Sequence, residues 1–142
     1  MKKKLLIVAS IIISLFIIII IIAYSSQIPN LKVTHQNTKV EVLKCPFSWD
    51  TILSRKRWDY PTPPELAKEV SATTVESQSI LDLSFSKKPE SFEVSLWNEK
   101  SEKYQSISNR IVVPNKKGTY VFAVIGHWNN GQVLYVFKIN VK

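Results

Sequence analysis

Thr119-Tyr120-Val121-Phe122-Ala123-Val124-Ile125-Gly126-His127-Trp128, then Asn129-Asn130-Gly131, then Gln132-Val133-Leu134-Tyr135-Val136-Phe137-Lys138-Ile139-Asn140-Val141: this stretch decides the fold. Both flanking runs are rich in β-branched and aromatic residues, which suit the pleated surface of a sheet better than the crowded turn of a helix. The Asn-Gly step between them supplies the backbone freedom that a tight hairpin needs. In the second run a period of two places Tyr135, Phe137, Ile139 and Val141 on one face. Burial is therefore expected for Tyr135, Phe137 and Ile139, and solvent for Lys138 and Asn140. A slip of one residue would exchange the two sets.

Outward from this hairpin the pattern repeats in shorter pieces. Runs of Val, Ile, Phe and Tyr separated by Asn, Lys, Pro, Ser and Gly predict strands at 31–35, 39–44, 72–76, 79–85, 92–96 and 110–113. Gln36-Asn37-Thr38 is a hairpin turn between the first two, and 114–118 is a turn before the long strand. Phe92, Val94 and Leu96 alternate onto one buried face. Strands at this spacing predict an all-β domain, an antiparallel two-layer sandwich. Residues 51–71 break the pattern: Pro61, Pro63 and Pro64 make them loop, until a single helical turn at 64–70 opened by proline and Glu65.

The N-terminus follows a different rule. Lys2, Lys3 and Lys4 precede an uncharged apolar run over residues 5–23, and the next charge is Lys32. At 1.5 Å per residue that run spans about 28 Å, close to the hydrocarbon thickness of a bilayer. It predicts a transmembrane signal-anchor helix that contacts the lipid bilayer through residues 5–23. Residues 1–4 form a cytoplasmic basic tail, and by the positive-inside rule the C-terminal part is extracytoplasmic. The alternative is a secreted protein cleaved near Ser25, since Ala23 and Ser25 are small enough for a signal peptidase; cleaved signals, however, usually carry shorter apolar cores. Residues 24–30 read as a juxtamembrane linker, with Pro29 barring continuation of the helix. Residues 31–142 then form one extracytoplasmic domain, large enough to bury a core without staples.

The net charge is +8 at pH 7, of which the three anchor lysines supply three, leaving +5 outside. A moderately basic exterior is compatible with a protein or an anionic envelope polymer as partner, whereas no nucleic acid is expected there. The single cysteine, Cys45, excludes an internal disulfide. It reads as a buried apolar residue, with pairing to another chain as the sharper alternative.

The segment Lys116-Lys117-Gly118-Thr119-Tyr120-Val121-Phe122 resembles the G-x-Y-x-C stretch of immunoglobulin-like domains, with Phe122 in the cysteine's place. The resemblance implies an immunoglobulin-like sandwich in which the Tyr120 hydroxyl bonds back to a nearby backbone group at a strand corner. More broadly, the chain resembles small uncharacterised secreted or membrane-anchored proteins of Gram-positive bacteria, in which a Cys-rich segment precedes a P-P-E-L run. Pro63-Pro64-Glu65-Leu66 matches, but only Cys45 is present, and Trp58 stands about where a second cysteine is expected. This resemblance implies no activity, and a fold so widely shared licenses none.

No constellation in the sequence specifies a reaction. Ser84-Phe85-Ser86-Lys87 spells S-x-x-K, but it ends a predicted strand, where residues three apart point to opposite faces, and no K-T-G element accompanies it. His35 and His127 stand in different strands without ligand-spaced partners. No catalytic, metal or cofactor-binding residues are expected, and the chain reads as a membrane-tethered binding or protein-interaction module without catalytic activity. The alternative is an envelope-polymer hydrolase or transferase.

The candidate partner-binding residues are Phe47, Trp49, Arg55, Lys56, Arg57, Trp58 and Tyr60, all within 45–60. Broad rings exclude water while guanidinium groups pair with carboxylate or phosphate, the combination that binding hot spots use. The plainer reading is a lid of aromatics packed on one end of the sandwich, with the basic residues solvated.

Overall fold

A computed structural model describes residues 1–142 apart from Glu99 and Gln105, with Asn98 and Lys100 described by their backbone alone. It begins with helix α1 (Lys2–Ser26), none of whose residues is buried. This helix is long and apolar enough to cross a membrane or to serve as a signal sequence. Three of its serine hydroxyls bond back to the helix: Ser14 Oγ donates to Ser10 O at 2.9 Å, and Ser25 and Ser26 both donate to Ile22 O.

The rest is all-β, with mostly antiparallel strands in two sheets. A five-stranded sheet has the order β2 (Thr38–Val40), β1 (Leu31–His35), β6 (Ile80–Phe85), β10 (Arg110–Val112), β9 (Ser106–Ile107). The longer sheet has the order β4 (Arg55–Arg57), β3 (Val42–Asp50), β12 (Gly131–Val141), β11 (Gly118–Trp128), β7 (Ser91–Asn98), β8 (Lys100–Lys103). Its seventh strand, β5 (Thr73–Val75), pairs in parallel with the end of β12, an exception to the antiparallel expectation. The hairpin of β11 and β12 pairs without a break from Gly118↔Val141 to Trp128↔Gly131.

The inner faces of the two sheets enclose one core in which Tyr135, Phe137 and Ile139 are fully buried, as the alternation of β12 predicts. Phe137 stacks on Phe122 with centroids 5.3 Å apart, and the ring of Tyr104 meets Phe122 edge-on. At the other end of the core Trp49 and Phe85 both approach Trp128 edge-on. Gly126 makes room for that indole, since a Cβ there would lie 2.5 Å from the Trp128 ring.

Two expectations change on the outer face of the longer sheet. Residues 51–71 are not simply loop: Arg55–Arg57 form β4 against β3, and the helical turn α2 (Pro63–Leu66) with a 3-10 turn (Ala67–Glu69) folds back over the sheet. Leu66, Ala67 and Val70 pack there on Cys45, Ala123, Leu134 and Val136. The strand β12 is therefore buried on both faces from Val133 to Phe137, and Lys138 is half-buried, its Nζ donating to Ala67 O at 2.9 Å. Asn140 remains exposed. A capping box starts α2, with Thr62 N and Oγ1 both donating to Glu65 Oε2. These bonds hold the Glu65 carboxyl below the usual carboxylate range.

The expected strand at 39–44 is two strands in different sheets, divided at Glu41. Strands β8 and β9 were not expected, because their charged and polar residues carry no apolar alternation. Within 24–30 Pro29 is buried, and Tyr135 Oη donates to Pro29 O at 2.8 Å inside the core.

Candidate functional site

Residues 45–57 lie on the β3–β4 hairpin and 58–60 follow it, and a bulge decides which way the β3 side chains point. In β3 the register against β12 shifts between Gln132 and Val133, so that Pro46 opposes Val133 and Ser48 opposes Gln132, with Phe47 left over. Proline has no N–H for the ladder, which makes Pro46 a natural place for the irregularity. The extra residue reverses the alternation beyond it. Phe47 packs on the outer face, while Trp49, two residues later, packs in the inner core with 1% exposure. Gly131 faces this segment where a Cβ would lie 2.1 Å from Ser48 O, at φ +153°, so only glycine fits.

Trp58 also packs against the inner core, and its backbone N–H donates to Phe47 O at 3.0 Å. Tyr60 packs on the outer face, its ring 6.3 Å from Phe47. Arg55, Lys56 and Arg57 are exposed. The guanidinium of Arg57 forms a two-armed ion pair with Asp50, which holds that carboxyl below its ordinary range. Among the described residues neither Arg55 nor Lys56 forms an ion pair. The hairpin thus separates the candidate residues into core side chains (Trp49, Trp58), an outer aromatic pair (Phe47, Tyr60) and a basic edge.

The outer pair forms one wall of a groove of about 410 Å³. Its floor is Ala123, Ile125 and Leu134, and its opposite wall is Trp97 of β7 with Lys103 of β8. The Trp97 indole N–H is buried and has no hydrogen-bond partner among the described residues. Such a donor costs free energy unless a partner reaches it. Trp97 was not among the expected residues; it opposes Val121 on β11 and follows Leu96, so its outward direction was already implied by the alternation of β7. Burial raises the Tyr60 hydroxyl pKa above the usual tyrosine range. A larger hollow of about 910 Å³ beside Asn30, Lys39 and Ser84 has no aromatic wall.

The other reactive side chains stay apart. His35 Nε2 lies 3.4 Å from Glu76 Oε2 at the far end of β1 and makes no hydrogen bond among the described residues. His127 opposes Ser91 and Gln132 in the sheet register. Ser86 Oγ accepts the Asn30 N–H, while Lys87 Nζ sits 5.4 Å from the centroid of the Tyr24 ring. Among the described residues no three His, Cys, Asp or Glu side chains converge as metal ligands. Cys45 is buried in the outer cluster, and burial, with Glu69 nearby, pushes its thiol pKa up. The Tyr120 hydroxyl donates to Lys116 O at 2.8 Å. No protein-family model, curated protein or solved structure matches this chain.

Proposed function

We propose that the protein is a membrane-tethered, extracytoplasmic binding module without catalytic activity, whose immunoglobulin-like sandwich holds a protein or envelope-polymer partner in the groove between Phe47, Tyr60 and Trp97. The observation that carries this reading is the groove itself, lined by the rings of Phe47 on β3, Tyr60 in the segment after β4 and Trp97 on β7. Aromatic surfaces contribute a large apolar contact area while keeping a polar edge for recognition. Lys103 and Glu93 at the rim supply polar recognition. The tether is α1, oriented by Lys2, Lys3 and Lys4 with its C-terminal end outside. The Tyr120–Lys116 bond supports the immunoglobulin-like assignment.

Cross-linking in the native envelope tests the proposal. Trp97→Ala and Tyr60→Ala should each abolish recovery of the cross-linked partner while the chain remains folded and in the membrane fraction. Undiminished recovery in both folded variants would refute the groove. Protease added outside intact protoplasts should digest residues 31–142, and protection of that segment would overturn the orientation.

A further inference from the structure

The end of the domain nearest α1 carries a feature that the groove does not use. Along β3, Lys44 Nζ donates to Asn30 Oδ1 and Ile28 O, whereas Trp49 Nε1 donates to Ser25 O at 3.3 Å. The segment from Ser25 to Asn30 and the strand from Lys44 to Trp49 therefore run side by side in opposite directions. Beyond Trp49 the strand continues past the residue that reaches Ser25 at the end of α1. Thr51, Ile52, Leu53 and Ser54 form the turn, closed by Thr51 N donating to Ser54 O at 2.7 Å. At about 3.3 Å per residue its tip extends roughly 10 Å beyond Trp49 along the strand direction.

The two tip residues, Ile52 and Leu53, are 67% and 78% exposed. Among the described residues neither side chain belongs to a core cluster, although the hairpin is held closed by Thr51 and Ser54. Arg55 and Lys56 stand immediately behind the tip, and Lys87 marks the same level by its position over Tyr24. Tyr24 is itself exposed at the end of α1, where aromatic rings favour the headgroup layer. The acidic group at this end of β3, Asp50, is paired with Arg57. Apolar tip, cationic collar and adjacent membrane helix together match the layered chemistry of a bilayer surface.

We infer that the β3–β4 hairpin is a second membrane contact: Ile52 and Leu53 enter the headgroup region of the membrane that α1 crosses, and Arg55 and Lys56 pair with anionic phospholipid headgroups. The inference rests on the reading of α1 as a membrane span. Its consequence is a domain held at a set tilt, with the hairpin and α1 as two points of attachment, so that the groove faces a constant direction relative to the surface.

The test uses the full chain in a Cys45→Ala background, reconstituted in phosphatidylcholine vesicles with or without phosphatidylglycerol. An environment-sensitive dye is attached through Leu53→Cys, or through Asn37→Cys at the far turn as control. Lipid-borne quenchers should quench the dye at 53 and spare the dye at 37. Adding phosphatidylglycerol should increase the quenching. Arg55→Glu with Lys56→Glu should lower the docked-to-undocked ratio in the anionic vesicles by about tenfold or more, since each basic side chain near such a surface contributes about fivefold. Flotation of the same samples after an alkaline carbonate wash reads α1 separately. A chain that fails to float overturns the anchor reading, and the inference with it. A chain that floats with the dye at 53 unquenched overturns the hairpin contact alone, and quenching that ignores both phosphatidylglycerol and the charge reversal overturns its anionic part.

Discussion

Replacing Trp49 by alanine should be among the most damaging single changes in the domain. The indole is 1% exposed, its ring is 5.9 Å from that of Trp128 in an edge-on arrangement, and its N–H reaches Ser25 O at 3.3 Å. Truncating a buried aromatic of this size costs about 3–5 kcal/mol in lost transfer and cavity formation. The edge-on pair adds roughly 1 kcal/mol. The hydrogen bond is long, so its share is about 0.5–1 kcal/mol, and Trp49→Phe should show mainly that loss with a modest cavity. For a small domain with a urea slope of about 2 kcal/mol/M, a 4 kcal/mol loss moves the midpoint down by about 2 M. Urea titration of the full chain in micelles, followed by circular dichroism in the sheet band, measures it. A change below about 1 kcal/mol for Trp49→Ala would refute the inward direction given to this side chain, and with it the bulge at Pro46.

Phe137→Ala, which removes one ring of the stacked pair with Phe122, should cost about 3–5 kcal/mol in the same titration, and a cost under 1 kcal/mol would contradict the register of β12. Cys45, buried and with its thiol pKa raised, should react with maleimide far more slowly in the folded chain than in urea; equal rates would contradict its burial. Burial raises the Tyr135 hydroxyl pKa well above its ordinary value of about 10, so above that pH the unfolded chain releases a proton that the folded chain retains. Stability should therefore fall as pH rises past about 10, and Tyr135→Phe should flatten that fall while losing about 1 kcal/mol at neutral pH, because Pro29 O loses its donor. An unchanged alkaline slope in Tyr135→Phe, read from urea midpoints, would contradict the assignment.

What could be read from residues alone follows from how strong the periodic signal is. Strands β1 and β6 and the inner face of Phe92, Val94 and Leu96 were legible from alternation, and the hairpin of β11 and β12 from two long β-branched and aromatic runs flanking an Asn-Gly turn. Strands β4, β8 and β9 were not, because Arg55-Lys56-Arg57 and Ser101-Glu102-Lys103 are exposed edge segments held by backbone pairing rather than by side-chain burial. The cover on the outer face was half visible. Five consecutive apolar residues from Val133 to Phe137 are the mark of a strand buried on both sides, and Pro63-Pro64-Glu65-Leu66 was the available segment to lie over it. The groove stayed hidden for a different reason: its walls come from β3, β7 and β8, and only the sheet order brings Trp97 opposite Tyr60.

The bulge in β3 explains why the cluster of aromatics and basic residues at 45–60 could not be assigned to one role from its composition. In a regular strand Phe47 and Trp49 would share a face, and the segment would be either all lid or all binding surface. With Phe47 as the extra residue, one short hairpin supplies side chains in three directions: Trp49 and Trp58 to the core, Phe47 and Tyr60 to the groove, and Ile52, Leu53, Arg55 and Lys56 to the end beside α1. These sets share a backbone but few contacts, so their substitutions should act nearly additively except where the bulge itself is disturbed. Core variants should change stability, groove variants partner recovery, and tip variants the attitude of the domain at the membrane. A triple variant combining Tyr60→Ala with Arg55→Glu and Lys56→Glu separates these roles most sharply. It should lose partner cross-linking and hairpin quenching together while its urea midpoint moves by no more than the sum of the separate shifts. A much larger shift would mean that the hairpin folds as one coupled unit, and that the division into three surfaces is not energetic.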